Sequence, residues 1–268
     1  MQRIATFFFL SLGLANLYAA GDTLPAKQTR LRLDYWNLTA SSLFDENRSA
    51  LDLENDFELS RNQFEIQYGL YEGVTLIMNA EYKNQNWDDG SASYESKGFG
   101  STYLALKQKI PATIFGQVFY SEVGVVLPQA YDETDPLPLG SGGIDWVLLG
   151  TYAQNFGPNQ SGVELDIGYI FRNGRPDDEF LIRAHFHIGT TRNSQINLHY
   201  ESHESKSNSQ TAYDPLVYPI DQGAQKGGLD FKVGLSPKWN LFFQAESMFR
   251  GRNSFKTQGY GIGLQWIR

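Results

Sequence analysis

Val74-Thr75-Leu76-Ile77-Met78-Asn79-Ala80-Glu81-Tyr82-Lys83 alternates between two kinds of side chain. Val74, Leu76, Met78, Ala80 and Tyr82 share one phase, while Asn79, Glu81 and Lys83 occupy the other. A period of two belongs to a strand with one apolar face, because a helix would bring residues three and four apart together. Just before it, Phe64, Ile66, Tyr68 and Leu70 alternate with Glu65, Gln67 and Gly69. Only Tyr71-Glu72-Gly73 separates the two runs, which makes them a hairpin.

Working outward, the same alternation recurs in twelve segments. Leu31, Leu33 and Tyr35 oppose Arg30, Arg32, Asp34 and Trp36 in the first. Weaker alternation marks strands near 99–109 and 114–127. Further apolar phases are Ile144, Trp146, Leu148 and Tyr152, then Val163, Leu165, Ile167, Tyr169 and Phe171. Phe180, Ile182, Ala184, Phe186 and Ile188 follow, then Ile196, Leu198 and Tyr200. Leu229, Phe231, Val233 and Leu235 precede Leu241, Phe243 and Ala245. In the last segment Tyr260, Ile262, Leu264 and Trp266 face away from Gly259, Gly261 and Gly263.

Every second connection is short: 71–73, 111–113, 157–160, 191–193 and 236–238. The others are mostly long and polar, near 40–54, 84–97, 128–143 and 202–224, with shorter ones near 173–178 and 251–255. Short turns at one end and long loops at the other predict an all-β, antiparallel, up-and-down transmembrane barrel of about twelve strands in an outer membrane.

A soluble sandwich would show the same alternation. Aromatic residues near segment ends (Tyr68, Tyr82, Phe156, Phe171, Trp239, Trp266) favour the membrane, where they form interfacial girdles. So do segments of ten or more residues, against about five or six in ordinary globular strands. Charged residues also keep to the phase opposite the aliphatic ones: Arg30, Arg32 and Asp34; Glu81 and Lys83; Glu164 and Asp166; Asp230 and Lys232. An Arg or Lys on the lipid face at mid-depth costs about 2–4 kcal/mol, and this segregation avoids it.

Residues 1 to 20 read as a secretory signal peptide, with Arg3, an apolar run from Ile4 to Leu17, and small residues at Ala19-Ala20-Gly21. Residues 21–268 then form one barrel domain. No later stretch approaches the length of an apolar spanning helix. With 15 Tyr, 18 Phe and 26 Gly, the composition suits an all-β chain despite a negative mean hydropathy. The chain has no cysteine, which excludes disulfides and thiolate metal sites. A net charge of −8 argues against a nucleic-acid partner.

The inward phases assemble a predicted lumen lining of Arg30, Arg32, Asp34, Glu65, Glu81, Lys83, Glu122, Asp145, Glu164, Asp166, Arg183, His185, His187, His199, Glu201, Asp230, Lys232 and Glu246. Opposite a charged arc from the first three strands, Val118, Tyr120, Val147, Leu149 and Ile170 form an apolar inner arc. The last strand offers only glycines inward, leaving room for the arginines of the first. Such an interior either guides an amphipathic or aromatic solute or merely fills the barrel. Inward acids outnumber bases, which points toward cations. Any constriction must come from side chains or infolded loops, and 128–143 and 202–223 are the candidates.

All four histidines lie within nineteen residues: His185, His187, His199 and His203. A register pairing His185 with His199 also pairs Arg183 with Glu201. These imidazoles near Glu201 could hold a divalent metal, or simply line a polar wall, the plainer reading. His203 with Ser202, Ser205 and Ser207 near the rim raises a lipid-cleaving enzyme, against a plain polar loop. The reading adopted has no metal, no cofactor and no catalytic residue. Gly259-x-Gly261-x-Gly263 is no dinucleotide site, since no helix follows.

Tyr68-Gly69-Leu70-Tyr71-Glu72-Gly73-Val74-Thr75-Leu76 and Gly234-Leu235-Ser236-Pro237-Lys238-Trp239-Asn240-Leu241 are each strand, tight turn, strand. They resemble the repeating hairpins of an outer-membrane transporter family linked to phenol-degradation pathways. That resemblance implies passage of aromatic or otherwise apolar small molecules and brings no catalytic motif. The chain departs from the commonest barrel ending, an aromatic last residue, because Trp266 stands two residues short of Arg268. The expected function is a passive channel or uptake barrel. The alternatives are a non-conducting barrel acting through its loops and, more distantly, a rim-sited lipid-modifying enzyme. Expected partners are membrane lipid and lipopolysaccharide, a small solute, and the barrel-assembly machinery.

Overall fold

A computed structural model describes residues 23–45, 47–90, 92–114, 117–128, 137, 139–140, 143–156, 161–173, 178–191, 193–206, 223–252 and 254–268. The elements, in chain order, are β1 (Thr29–Phe44), β2 (Ala50–Tyr71), β3 (Val74–Asp88), β4 (Ser93–Ile114), β5 (Gln117–Leu127) and β6 (Asp145–Phe156). They continue as β7 (Ser161–Phe171), β8 (Glu179–Thr191), β9 (Ser194–Ser205), β10 (Gly223–Gly234) and β11 (Trp239–Arg252). The last are β12 (Ser254–Phe255) and β13 (Gln258–Ile267).

From β2 to β11 each strand pairs with its successor, β13 pairs with β11 and β1, and β1 pairs with β2. β12 is a two-residue piece on the far end of β1, so twelve antiparallel staves close into a barrel. Closure removes both sheet edges and lets each spanning strand's backbone groups pair on two sides.

Which face looks outward decides between membrane and sandwich. On β7, Leu165, Ile167 and Phe171 are 37%, 50% and 44% exposed, while Glu164 and Asp166 are 1% exposed. A soluble protein would show the reverse. The apolar outside and charged inside belong to a barrel whose solvent is lipid. Trp239 and Trp266 stand side by side near the end that holds Thr29 and Arg268, with ring centroids 6.5 Å apart. Tyr169 and Phe171 pair at 4.8 Å near the other.

At the terminal end, Gly73 takes a φ of 78° in a two-residue turn, a conformation suited to glycine. Two connections differ from the sequence reading at the loop end. The expected loops 40–54 and 84–97 are mostly strand, since β1 runs to Phe44 and β2 starts at Ala50, while β3 runs to Asp88 and β4 starts at Ser93. Their inner side chains pack together: Phe57 stacks on Phe255 at 4.1 Å, and Trp87 meets Phe255 edge-on at 5.4 Å. Their outer positions carry Asp52, Glu54, Asp56 and Glu58, which masked the strand. These staves stand above the lipid band.

The expected turn at 111–113 also differs, for β4 extends through Pro111 to Ile114. A register irregularity between Ile110 and Ile114 accommodates the proline, which cannot donate to the ladder. Residues 1–20 and 157–160, and most of 128–143 and 206–222, lie outside the described residues.

Ile167→Arg puts a cation on the lipid face at the middle of β7. It should lower stability in vesicles by about 2–4 kcal/mol, read from the urea unfolding midpoint. An unchanged midpoint would place that face elsewhere.

Candidate functional site: the barrel interior

The inward phase of each strand meets the others across a closed interior, so its charges must satisfy one another. Beside the β1–β13 seam, Arg32 Nε donates to Asp34 Oδ2 at 2.8 Å and Nη2 to Oδ1 at 2.9 Å. The Arg32 guanidinium lies 4.1 Å from the Phe242 ring centroid. Arg30 donates to Gln67 at 3.3 Å, and Gln67 to Glu65 at 2.9 Å.

The glycines of β13 serve a different purpose from the one expected. A Cβ at Gly263 would meet Asp34 Oδ1 at 2.1 Å, and one at Gly261 would meet the Trp36 ring at 2.7 Å. Asp34 and Trp36 are the direct cross-strand partners of these glycines. The glycine column therefore makes room for Asp34 and Trp36, not for the arginines.

On the opposite wall, Tyr103 donates to Glu122 at 2.6 Å and Thr151 to Asp166 at 2.7 Å. Arg183 Nε lies 3.4 Å from Asp166. Lys107 on β4 reaches past β5 and β6 to Glu164 at 3.9 Å, with its amine 5.0 Å from the Tyr120 ring centroid. On β3, Lys83 pairs with Glu81 at 2.6 Å.

A longer chain of ion pairs links five strands. Arg172 binds Asp145 and Glu179, each at 2.7 Å. His203 follows, 3.4 Å from Glu179 and 3.0 Å from Glu201. Lys226 closes on Glu201 at 3.0 Å and on Glu246 at 3.2 Å. His199 faces Asp230 at 3.7 Å and Glu246 at 3.8 Å.

The β8–β9 register pairs His185 with His199 and Arg183 with Glu201. The His185 and His199 rings are 6.3 Å apart, and His187 lies half-buried on the same phase. Among the described residues no three His, Cys, Asp or Glu side chains are grouped to hold a metal ion. The rim placement of His203 needs correction. β9 runs through Ser205, so His203 sits in a strand, with both ring nitrogens facing carboxylates and neither facing a serine. Ser207 lies outside the described residues.

Tyr120, Val147, Leu149 and Ile170 are buried and Val118 is half-buried. The last three of those buried residues' cluster also takes in Ile77, Tyr103, Ala105, Val126 and Leu181, so it spreads beyond strands five to seven. A second apolar patch lies where only charge was expected: Trp36, Leu38, Ala40, Phe57, Leu59 and Trp87. The inner phase of β1 passes from Arg32 and Asp34 to Trp36, Leu38 and Ala40 as it rises, so polarity changes with height.

Leu137, from the β5–β6 connection, is fully buried in this second patch. Leu137 O accepts from Gln85 and Leu139 O from Lys83, both at 3.4 Å. Leu137 and Leu139 of this connection thus lie inward against β3, within one of the two candidate constrictions. At the terminal end Leu24 is buried, its N–H donating to Thr75 Oγ1 at 2.7 Å.

Sequence reading missed Arg61, Lys107, Arg172 and Lys226 among the interior cations, and Glu179 among the acids. Arg172 lies just past β7, and Lys226 keeps the inner phase of Asp230 but precedes Leu229, where the apolar alternation of that strand begins. Arg61 and Lys107 were legible, since each keeps the inner phase of its strand. Adding more bases than acids brings the interior close to charge balance and removes most of the excess that pointed toward cations.

Fold and interior together define an outer-membrane β-barrel of twelve staves. No protein-family model matches the chain, and no curated protein matches it by sequence. Among solved structures it is similar to an outer-membrane channel from Pseudomonas putida F1, with 16% identity and a TM-score of 0.72 over 93% of this chain and 98% of that one. It is also similar to the KdgM porin, at 7% identity and a TM-score of 0.54 over 88% and 98% of the two chains. The translocator domain of the autotransporter NalP from Neisseria meningitidis gives 11% identity and 0.52 over 91% and 90%. These likenesses establish the fold.

Replacing Arg172 with Met leaves Asp145 and Glu179 buried without their shared cation. Removing one partner of a buried pair costs about 3–5 kcal/mol, and the urea midpoint of the folded barrel should fall accordingly.

Proposed function

We propose that the protein is a passive, cofactor-free outer-membrane channel or uptake barrel for small solutes. The observation that carries this reading is an interior lined by charged and polar side chains from Arg32 to Arg172, narrowed by side chains and by Leu137. Twelve staves lie between barrels of about eight strands, which side chains fill, and those of sixteen, which hold an open aqueous channel. The path is accordingly narrow. Two of the similar structures are an outer-membrane channel and a porin, which supports the same role.

Apolar patches beside charged groups suit solutes that carry an apolar or aromatic body. Lipid and lipopolysaccharide would contact the outer wall, and the barrel-assembly machinery would insert the chain after removal of residues 1–20. The second reading is a barrel that does not conduct and acts through its loops. It is favoured by the burial of nearly every inner side chain and by Leu137 seated in the mouth.

Planar-bilayer recording separates the two. The channel reading expects small single-channel steps, and a folded sample without steps would sink it. Leu137→Ala should raise the step size, because it trims a side chain buried in the inner apolar patch of the outer half. Equal steps would locate the constriction elsewhere.

A further inference from the structure

Arg61 stands apart from the other buried arginines of the interior. It is 3% exposed, and its Nε and Nη2 have no hydrogen-bond partner among the described residues. Each other buried arginine on the inner face has a carboxylate: Arg32 has Asp34, Arg172 has Asp145 and Glu179, and Arg183 has Asp166. The acids nearest in kind are engaged elsewhere, since Glu246 is held by Lys226 and Glu81 by Lys83. Glu246 lies within electrostatic range of Arg61 but accepts no hydrogen bond from it, and buried donors without an acceptor are costly, so the fold has left an acceptor's place open.

A second unpaired donor lies beside it. Trp36 is Arg61's direct register partner on β1, fully buried, and its indole Nε1 also has no hydrogen-bond partner among the described residues. The guanidinium carbon is 5.6 Å from the Trp36 ring centroid. Arg61's register partner on the other side is Lys83, which adds positive charge. Toward the loop end the same wall turns apolar through Leu38, Phe57 and Leu59, roofed by Leu137.

We propose that Arg61 and Trp36 form an anion subsite inside the barrel for a small carboxylate that carries an apolar body. The carboxylate accepts from the guanidinium fork and the indole N–H, and the apolar body lies against Leu38, Phe57 and Leu59. Charge-assisted bonds of this kind are the strong ones, and arginine's planar fork matches a carboxylate. This deepens the channel reading, resting on solute reaching the interior, and it names a solute class that the acid-rich lining did not suggest.

Calorimetric titration of the folded barrel in micelles, corrected for empty micelles, tests it with three probes: benzoate, acetate and benzyl alcohol. Benzoate combines charge and apolar body, and it should bind more tightly than acetate or benzyl alcohol, each of which has one of the two. Arg61→Met should weaken benzoate by about tenfold or more, the usual worth of a charge-assisted hydrogen bond. If that variant fails to fold, judged by loss of the shift between unheated and boiled samples on a gel, Arg61→Gln serves with the same expectation. No saturable benzoate binding, or binding unchanged by the substitution, overturns the subsite. Failure of the channel reading shows separately, as missing conductance steps in a sample that still binds benzoate.

Discussion

In hydrocarbon a backbone N–H or C=O without a partner costs several kcal/mol, and this single constraint organises the whole molecule. It requires that β13 return to β1, which it does over ten registered pairs from Arg30–Ile267 to Thr39–Gln258. It requires antiparallel neighbours on both sides of every stave. Once the wall is closed, the pleat sorts residues without further choice, one phase to lipid and the next to the interior. The seam shows how tightly that sorting is packed. Asp34 and Trp36 can lean across β13 because Gly263 and Gly261 leave the space a Cβ would occupy.

The same closure sets the terms for the interior. Charges that cannot face lipid are gathered inside, where low dielectric makes each depend on a partner. The chain from Asp145 through Arg172, Glu179, His203, Glu201 and Lys226 to Glu246 meets that demand across five strands. Near-neutrality of the lining follows, and selectivity then rests on local groups and on height. On β1 and β2 a solute would pass between a charged lower half and an apolar upper half, with Leu137 at the mouth. Arg61 sits at the level where the two meet.

Much of the wall was legible in the sequence because lipid punishes a misplaced charge. Leu33 beside Asp34, or Ile167 beside Asp166, reveals phase without any knowledge of partners. Strand ends were less legible for the same reason. Above the lipid the penalty vanishes, so Asp52, Glu54, Asp56 and Glu58 lie on the outer face of β2 and read as a loop, although Phe57 and Leu59 keep the inner phase. Pairings between distant strands, such as Lys107 with Glu164, depend on side-chain reach across the barrel and left no local trace. Lys226 shares the phase of Asp230, but Gly227 and Gly228 part it from Leu229 and carry no side chain to show the alternation.

The central claim is that a closed barrel turns the odd phase of β7 to lipid and the even phase inward. The chain contains no cysteine, so single cysteines introduced from 163 to 170 can each carry a spin label without interference. Collision with oxygen, which concentrates in lipid, against collision with a water-soluble nickel complex reads the surroundings of each label. The account predicts strict alternation, with labels at Leu165, Ile167 and Tyr169 favouring oxygen and labels at Glu164, Asp166 and Gly168 shielded from it. A profile without a period of two, or with the phases exchanged, would contradict it.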